Sequence, residues 1–324
     1  MQQGLFHYAL KRLLQTLPLI LCIIILNFLL IHLTPGDPVS LLLQDGASEE
    51  MIRTMRQEFG LDKPLYVQLV SYIRSVLKGN LGFSFSYHVP VLYLILERIP
   101  ATLLLMFTAL IIASFGGIFL GVLAAIKPFS ARDNLIAFGS LAGYSLPIFW
   151  LGQILVIVFA LKLDVFPTGG MYDMRLSSGG LTRIWDVSKH LVLPALCFAS
   201  YNIALICRIT RTSMLETLRK EFVTTARSKG LAERVVVLKH MLRNAMIPVV
   251  TLIGMDLGMM FAGSVLTETV FSWPGIGRLT YDSILSRDYP VLMGIFIFIS
   301  VAIMIANFLT DLVYCILDPR IRYG

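Results

Sequence analysis

The sequence predicts an all-α membrane protein that crosses the bilayer several times. Hydrophobic residues make up 56% of its 324 residues and charged residues only 15%, whereas about a quarter of a soluble domain is charged. Six apolar windows are each long enough to cross a hydrocarbon core of about 30 Å, which takes about 20 helical residues. None of them alternates apolar and polar residues as membrane-spanning strands do. The six predicted transmembrane helices lie at 13–33, 99–126, 134–161, 190–207, 244–267 and 289–310.

The chain divides on this pattern into three parts. Residues 1–33 contain an N-terminal segment and the first span, 34–98 form an insertion, and 99–324 contain the other five spans. Turn-forming and helix-capping residues inside the insertion predict one helix at 48–60 and a second at 64–77. We expect a small helical elaboration on the extracytoplasmic side, which is either simply solvated or a docking surface for a soluble partner.

Lys and Arg residues predict the orientation, because they are enriched in cytoplasmic loops. With the N-terminus inside, the inner segments hold 15 of the 27 positive residues against six acids, and the outer segments hold 12 against 13. The most basic loop, at 212–243, then faces the cytoplasm, as do both termini. Membrane topology thereby accounts for the net charge of +7, so a nucleic-acid partner is not expected.

Small residues and one proline predict how the spans pack and bend. Gly117 and Gly121 are spaced four apart, as are Gly254 and Gly258, and this spacing permits close contact between helices. Pro147 lies deep in the third span and is expected to kink it.

The basic loop is predicted to form two helices joined by a glycine turn. Gly230 stands where the first helix would end in a left-handed residue. A second helix is indicated by apolar residues at spacings of four, three and four, namely Leu231, Val235, Leu238 and Leu242. The loop would therefore project from the membrane and expose apolar residues surrounded by positive charge. Such a surface is expected to bind a partner protein.

The basic loop also resembles a known sequence motif. It is similar to the EAA loop of importer-type ABC transporter permeases, whose pattern is Glu-Ala-Ala, three residues, Gly, nine residues and Ile-x-Leu-Pro. The matching positions are Thr224, Thr225 and Ala226 at the Glu-Ala-Ala, Gly230 at the glycine and Leu242 at the leucine. His240 and Arg243 replace the Ile and the Pro. These departures are similar to the variant found in dipeptide, oligopeptide and nickel permeases.

Other stretches resemble the same branch and extend over nearly the whole chain. They are Thr34-Pro-Gly-Asp-Pro38, Gly60-Leu-Asp-Lys-Pro64, Gly143-Tyr-Ser-Leu-Pro-Ile-Phe-Trp150, Leu266-Thr-Glu-Thr-Val-Phe-Ser-Trp-Pro-Gly-Ile-Gly277, Arg287-Asp-Tyr-Pro290 and Asp318-Pro-Arg-Ile-Arg322. The resemblance implies the six-helix fold of type I ABC importer permeases. It leaves the cargo open among dipeptides, oligopeptides, nickel chelates, glutathione and haem.

The resemblance also implies partners and site residues. This chain would be one of two different transmembrane subunits in a bacterial inner membrane. Its partners would be a second homologous permease, two ABC ATPase subunits that hold ATP and Mg, and an extracytoplasmic substrate-binding protein. The residues implied to couple to the ATPases are Phe222, Thr224, Thr225, Ala226, Gly230 and Leu231. Those implied to form the outer gate or contact the binding protein are Glu268, Trp273, Pro274 and Gly275.

The residues predict no catalytic site, metal site or cofactor on this chain. No G-x-x-x-x-G-K-[ST] phosphate loop occurs, and the five histidines are scattered over both sides without a His-Glu-x-x-His pattern. An intramembrane aspartyl protease would have to use Asp256 and Asp311, whose surrounding motifs do not fit that class. A self-contained secondary transporter usually has duplicated halves and broken helices, and the sequence indicates neither.

Asp256 is the acidic residue placed deepest in a predicted span. It lies about 18 Å along the fifth span, near the middle of the hydrocarbon core. An acid at that depth should face the bundle interior or a wet cavity. In one interpretation Asp256, Gly258 and Met259 line the translocation pathway, and Asp256 pairs with a positive group of the cargo. In the other it is a packing residue, hydrogen-bonded to Asn202 or Asn307.

Overall fold

The computed structural model describes residues 15, 18–29, 63–175 and 179–317, and these residues are almost entirely helical. In chain order the helices are α1 (Pro18–Leu29), α2 (Leu65–Leu77), α3 (Val91–Ile126), α4 (Ala131–Ser145), α5 (Ile148–Leu155, continued by a π-helical turn at Val156–Lys162), α6 (Leu181–Leu218), α7 (Glu221–Ser228), α8 (Glu233–Val235, continued by a π-helical turn at Val236–Met241), α9 (Leu242–Val270), α10 (Ile276–Leu285) and α11 (Tyr289–Leu317). An isolated antiparallel bridge joins Phe83 and Pro90.

Four stretches of the described chain are long and apolar enough to cross a membrane. They are Val91–Ile126, Leu181–Leu218, Glu233–Asp256 and Tyr289–Thr310. The pair α4 and α5 makes a fifth if it counts as one bent span. Helix α1 covers the described part of the first predicted span. The all-α, polytopic prediction is confirmed, and the described residues account for four or five of the six spans predicted.

The third predicted span is broken rather than kinked. Helices α4 and α5 meet at an angle of 105° around Leu146 and Pro147. Leu146 is extended, with φ −75° and ψ 131°, because the residue before a proline is disfavoured in the helical conformation. Pro147 then precedes α5 and accepts a hydrogen bond from the Leu151 amide through its carbonyl. The sequence predicts a kink within one helix, whereas the structure has two separate helices at this point. The prediction that the chain has no broken helix is therefore wrong.

The described chain forms two compact units, the first built from the described residues up to Pro100 and from Leu279–Met304. Within this unit, Asn27 donates a hydrogen bond to the Met293 carbonyl at 3.0 Å. The buried Asp288 carboxylate accepts one from the Ser84 hydroxyl at 2.6 Å. The helix predicted at 64–77 is present as α2, whereas the one predicted at 48–60 lies outside the described residues.

The second unit contains Ala101–Arg278 and the part of α11 from Ile305 onward. Its core depends on small residues that let helices approach closely. A Cβ at Gly121 of α3 would stand 2.6 Å from the Thr210 side chain of α6, and one at Gly254 of α9 would stand 2.6 Å from Thr310. The Thr310 hydroxyl also donates a hydrogen bond to the Gly254 carbonyl at 2.9 Å. The close contacts predicted at these two glycines are therefore present.

Candidate functional site

Helix α7, in the middle of the basic loop, is anchored to the second unit by one face. Val223 is fully buried and Ala226 is 5% exposed. They pack in one apolar cluster with residues from the end of α3, the end of α6 and the stretch from α8 into α9, namely Val122, Ala125, Met214, Val236, Val237, Met241 and Ala245. Because α7 has only eight residues, this burial rather than intrinsic helix propensity must hold it in place.

The other side of the basic loop leaves apolar side chains open to solvent. Phe222, Leu231, Val235 and Leu238 are 39–47% exposed. Phe222 and Ala226 are four residues apart, as residues on one helical face are, but only Ala226 is buried. In the second helix the buried positions are Val236 and Val237 rather than Val235 and Leu238. Four exposed apolar side chains on an anchored loop form what we call the loop apolar surface.

Gly230 ends α7 in the conformation that the sequence predicts. Its φ is +74°, which is unfavourable for a residue with a β-carbon. The Gly230 amide donates to the Arg227 carbonyl at 2.9 Å, and the Leu231 amide donates to the Ala226 carbonyl at 3.4 Å. This pair of bonds is the Schellman arrangement, which satisfies carbonyls that the helix end would otherwise leave free. Arg227 also pairs with Glu233 at 2.6 Å, so one ion pair connects the two helices across the turn.

A buried ion pair lies between the start of α4 and α6. Nε and Nη2 of Arg211 donate to the two carboxylate oxygens of Asp133 at 2.6 and 2.7 Å. The Asp133 side chain is only 2% exposed and also accepts from the Phe129 amide at 2.8 Å. Two parallel bonds of this kind fix orientation as well as distance. The pair therefore holds the loop between α3 and α4 against α6.

The turn after α9 is organised around Glu268, which is completely buried. Its carboxylate accepts from the Thr102 hydroxyl at 2.9 Å and from the Arg278 amide at 3.0 Å. The indole of Trp273, also completely buried, donates to the Ala101 carbonyl at 2.8 Å. Gly275 lies so close to the Glu268 carboxylate that no side chain fits there. The turn is thus tied by hydrogen bonds to α3 at Ala101 and Thr102.

This arrangement indicates different roles for the residues that the resemblance assigns to the outer connection. Glu268, Trp273 and Gly275 are buried within their own chain, and Pro274 is half-buried. Ser272, beside them, is exposed and has a φ of +51°. The buried residues are placed to shape the turn, and the exposed part of the turn is what a soluble protein can reach.

Three polar side chains from different helices come together in the second unit. The rings of Tyr144 in α4 and Tyr201 in α6 stack with their centroids 4.8 Å apart. Asp256 shares a helical face with Ile253 and Met260 of α9. These two residues pack in one apolar cluster with Phe198 and Ile203 of α6, which lie on either side of Tyr201 in the sequence. One carboxylate oxygen of Asp256 is buried and has no hydrogen-bond partner among the described residues. Asn202 and Asn307 are among those residues, so neither of them is bonded to this oxygen. Gly258 and Met259 belong to α9, and the side chain of Met259 lies outside what the structure describes.

Sequence reasoning missed the two tyrosines and the Asp133–Arg211 pair. Tyr144 lies inside a quoted motif, but nothing in the sequence connects it to Tyr201, 57 positions later. An acid at the inner edge of a predicted span, with arginines at the edge of another, was the available signal for Asp133 and Arg211.

Packed membrane-spanning helices and an anchored basic loop with an open apolar surface are features of a transport permease subunit. A family model described as binding-protein-dependent transport system inner membrane component matches residues 117–323. A second model, for the N-terminal part of such membrane components, matches residues 5–106. The chain belongs to this family and is a multi-pass membrane protein.

Curated relatives align with the chain over almost its full length. It is 39% identical to the dipeptide transport system permease protein DppB of Escherichia coli (strain K12), over 98% of this chain and 99% of that protein. It is 38% identical to the oligopeptide transport system permease protein AppB of Bacillus subtilis (strain 168), with the same coverage. A putative peptide permease protein of Brucella ovis, BOV_A0351, is 41% identical, again with the same coverage.

A solved structure supports the fold. The chain is similar to the MetNI methionine ABC transporter in an inward-facing conformation, with a TM-score of 0.56. The match covers 70% of this chain and 97% of that one at 15% identity. At that identity the likeness concerns the fold alone.

Proposed function

We propose that this chain is one of two transmembrane subunits of an ATP-driven importer that carries dipeptides or oligopeptides across the cytoplasmic membrane. The names of the relatives support the cargo class, since they are dipeptide, oligopeptide and peptide permeases. The complete complex would also contain a second homologous permease, two ABC ATPases and an extracytoplasmic binding protein. ATP and Mg belong to the ATPases, and this chain performs no covalent chemistry.

The observation that carries the proposal is the loop apolar surface. Exposed apolar patches on an anchored element mark protein interaction sites, and here Phe222, Leu231, Val235 and Leu238 supply one. The loop and both termini are cytoplasmic in the orientation that the charge distribution favours, which is the side where ATPases reside. Closure of the ATPases would push on α7. Because α7 packs on α3, α6 and α9, the push would reach the spans and switch the pathway between inward- and outward-facing states.

Crosslinking tests the coupling contact directly. A photoreactive phenylalanine analogue at Phe222, in the complex assembled with its ATPases, should crosslink to the ATPase subunit. The same analogue at Val223, which is buried against the chain itself, is the matched control and should crosslink only within the chain. If the analogue at position 222 crosslinks only to lipid, or forms no crosslink to a protein, the coupling role of Phe222 is wrong.

Transport by the purified complex tests the cargo. Proteoliposomes with the complex and its binding protein should accumulate a labelled dipeptide only when ATP is supplied to the ATPase side. Unlabelled peptides should compete, whereas a nickel chelate, oxidised glutathione or haem should not. If the nickel chelate, oxidised glutathione or haem competes and unlabelled peptides do not, the cargo is not a peptide and the chain belongs to another branch of the same family.

A further inference from the structure

We infer that Tyr144, Tyr201 and Asp256 form a binding site for the primary ammonium group of the transported molecule. The inference rests on the proposed function, because it takes the cargo to be a peptide or another molecule with a free amino group. It assigns a specific contact inside the permease, separate from any selection by the binding protein.

The carboxylate of Asp256 is the first reason for this assignment. One of its oxygens is buried without a hydrogen-bond partner, and the residue forms no salt bridge within the described part of the chain. Acids inside membrane spans are costly, and the ones that persist usually serve a cation, a proton or a substrate. Buried polar atoms in native structures are generally paired. A carboxylate without a partner at this depth is therefore suited to a partner that arrives and leaves.

The two tyrosines are the second reason. Tyr144 and Tyr201 are 48% and 44% exposed although they stack on each other. Their open ring faces suit a cation, because the face of an aromatic ring carries negative electrostatic potential. An ammonium group bound there would gain a charge partner and a ring face together.

The broken helix is the third reason. Tyr144 lies in the last turn of α4, immediately before the break at Leu146 and Pro147. The C-terminal end of a helix carries a partial negative charge, and interrupted membrane helices commonly direct such ends at a bound cation. Gly143 brings this end close to α6, where its Cβ position would be 3.7 Å from the Ser200 carbonyl. The C-terminal end of α4 therefore lies beside the stacked rings of Tyr144 and Tyr201.

The test uses the reconstituted complex with its binding protein and a labelled dipeptide, Ala-Ala. Asp256→Asn should lower the maximal uptake rate about tenfold or more by removing the charge partner of the ammonium. The concentration of peptide-loaded binding protein that gives half-maximal uptake should not change, nor should the ATPase rate. More ATP would then be spent for each peptide moved. A merely structural aspartate would instead lower uptake and ATPase activity together.

Paired tyrosine variants separate the ring face from the hydroxyl. Tyr201→Phe keeps the ring and should retain most uptake, whereas Tyr201→Leu removes the cation-binding face and should lose it. Tyr93→Leu is the matched control, since Tyr93 is 60% exposed on a membrane helix but does not belong to the cluster. Equal losses for Tyr201→Phe and Tyr201→Leu would contradict the ammonium site and assign the hydroxyl instead.

Two further outcomes overturn the inference without ambiguity. If Asp256→Asn leaves dipeptide uptake unchanged while the wild-type complex transports, the site is wrong and the proposed function stands. If Asp256→Asn prevents the second permease from co-purifying, Asp256 pairs with a positive residue of that subunit rather than with the cargo. If the wild-type complex moves no peptide at all, the proposed function fails first, and this result is distinguishable from the other two.

Discussion

Arg211 holds the carboxylate of Asp133 through two parallel hydrogen bonds of 2.6 and 2.7 Å. Removing the arginine would leave a buried carboxylate without its charge partner, which costs about 3–5 kcal/mol of stability. We therefore expect Arg211→Ala to lower the midpoint of thermal unfolding of the purified chain clearly. Arg227→Ala is the control, because its ion pair with Glu233 is 45–57% exposed and such pairs contribute about 0.2–1 kcal/mol. Equal shifts in the two variants would contradict the structural role of the buried pair.

Neighbouring residues of α7 should separate stability from coupling. Val223 is completely buried, so Val223→Ala should destabilise the chain by about 1–3 kcal/mol through lost packing. Phe222 is 40% exposed, so Phe222→Ala should leave the melting temperature unchanged while reducing the amount of ATPase that co-purifies. Thermal unfolding and quantitative co-purification check the two expectations. A Phe222→Ala chain that retains its full complement of ATPase would remove this residue from the interface.

The tight packing around Glu268 leads us to expect that even a glycine-to-alanine substitution in this turn changes stability and function. A Cβ at Gly275 would collide with the Glu268 carboxylate, so Gly275→Ala must displace the hydrogen bonds to Thr102 and Arg278. We expect lower thermal stability and weaker stimulation of ATPase activity by the binding protein. Gly179→Ala serves as the control, since nothing lies within 4 Å of its Cβ position. Normal stimulation in the Gly275→Ala complex would show that the turn's shape does not matter for the binding protein.

The orientation follows from charge and can be measured with matched serine-to-cysteine changes. In a background without the native cysteines, cysteines at Ser71 and Ser188 should react with a membrane-impermeant thiol reagent added to intact cells. A cysteine at Ser228 should react only after the membrane is opened. All three serines are exposed in the structure. External labelling at 228 would reverse the topology, and the loop apolar surface would then face away from the ATPases.

Some elements of the fold and the site could be predicted from the sequence and others could not, for physical reasons. The turn at Gly230 was predictable because only glycine adopts a positive φ without strain, and such residues end helices. The buried face of the second loop helix was not, since the π-helical turn at Val236–Met241 shifts the register that a regular period predicts. Pro147 indicated that the helix would bend. The bend angle, however, depends on the backbone conformation of Leu146 and on the residues that pack beside it. The clustering of Tyr144, Tyr201 and Asp256 depends on the packing of three helices that no local pattern encodes.

In the proposed mechanism, the helix, glycine turn and helix of the basic loop transmit the motion of the ATPases to the transmembrane helices. Gly230→Val in the reconstituted complex tests it, because a β-branched residue at φ +74° is strained by about 1–3 kcal/mol and would misplace α7 against α8. The chain provides an unusually close control in Gly79, which ends α2 at φ +79° with the same pair of capping hydrogen bonds. Both glycines have open space around the Cβ position, so backbone strain is the shared perturbation.

The decisive measurement is ATP-dependent uptake of a labelled dipeptide by proteoliposomes that contain the wild-type, Gly230→Val or Gly79→Val complex, each with its binding protein. We expect the Gly230→Val chain to insert into the membrane and to lose most of the uptake, and the Gly79→Val chain to keep most of it. Wild-type uptake in the Gly230→Val complex, with its ATPases bound normally, would contradict this role of the basic loop.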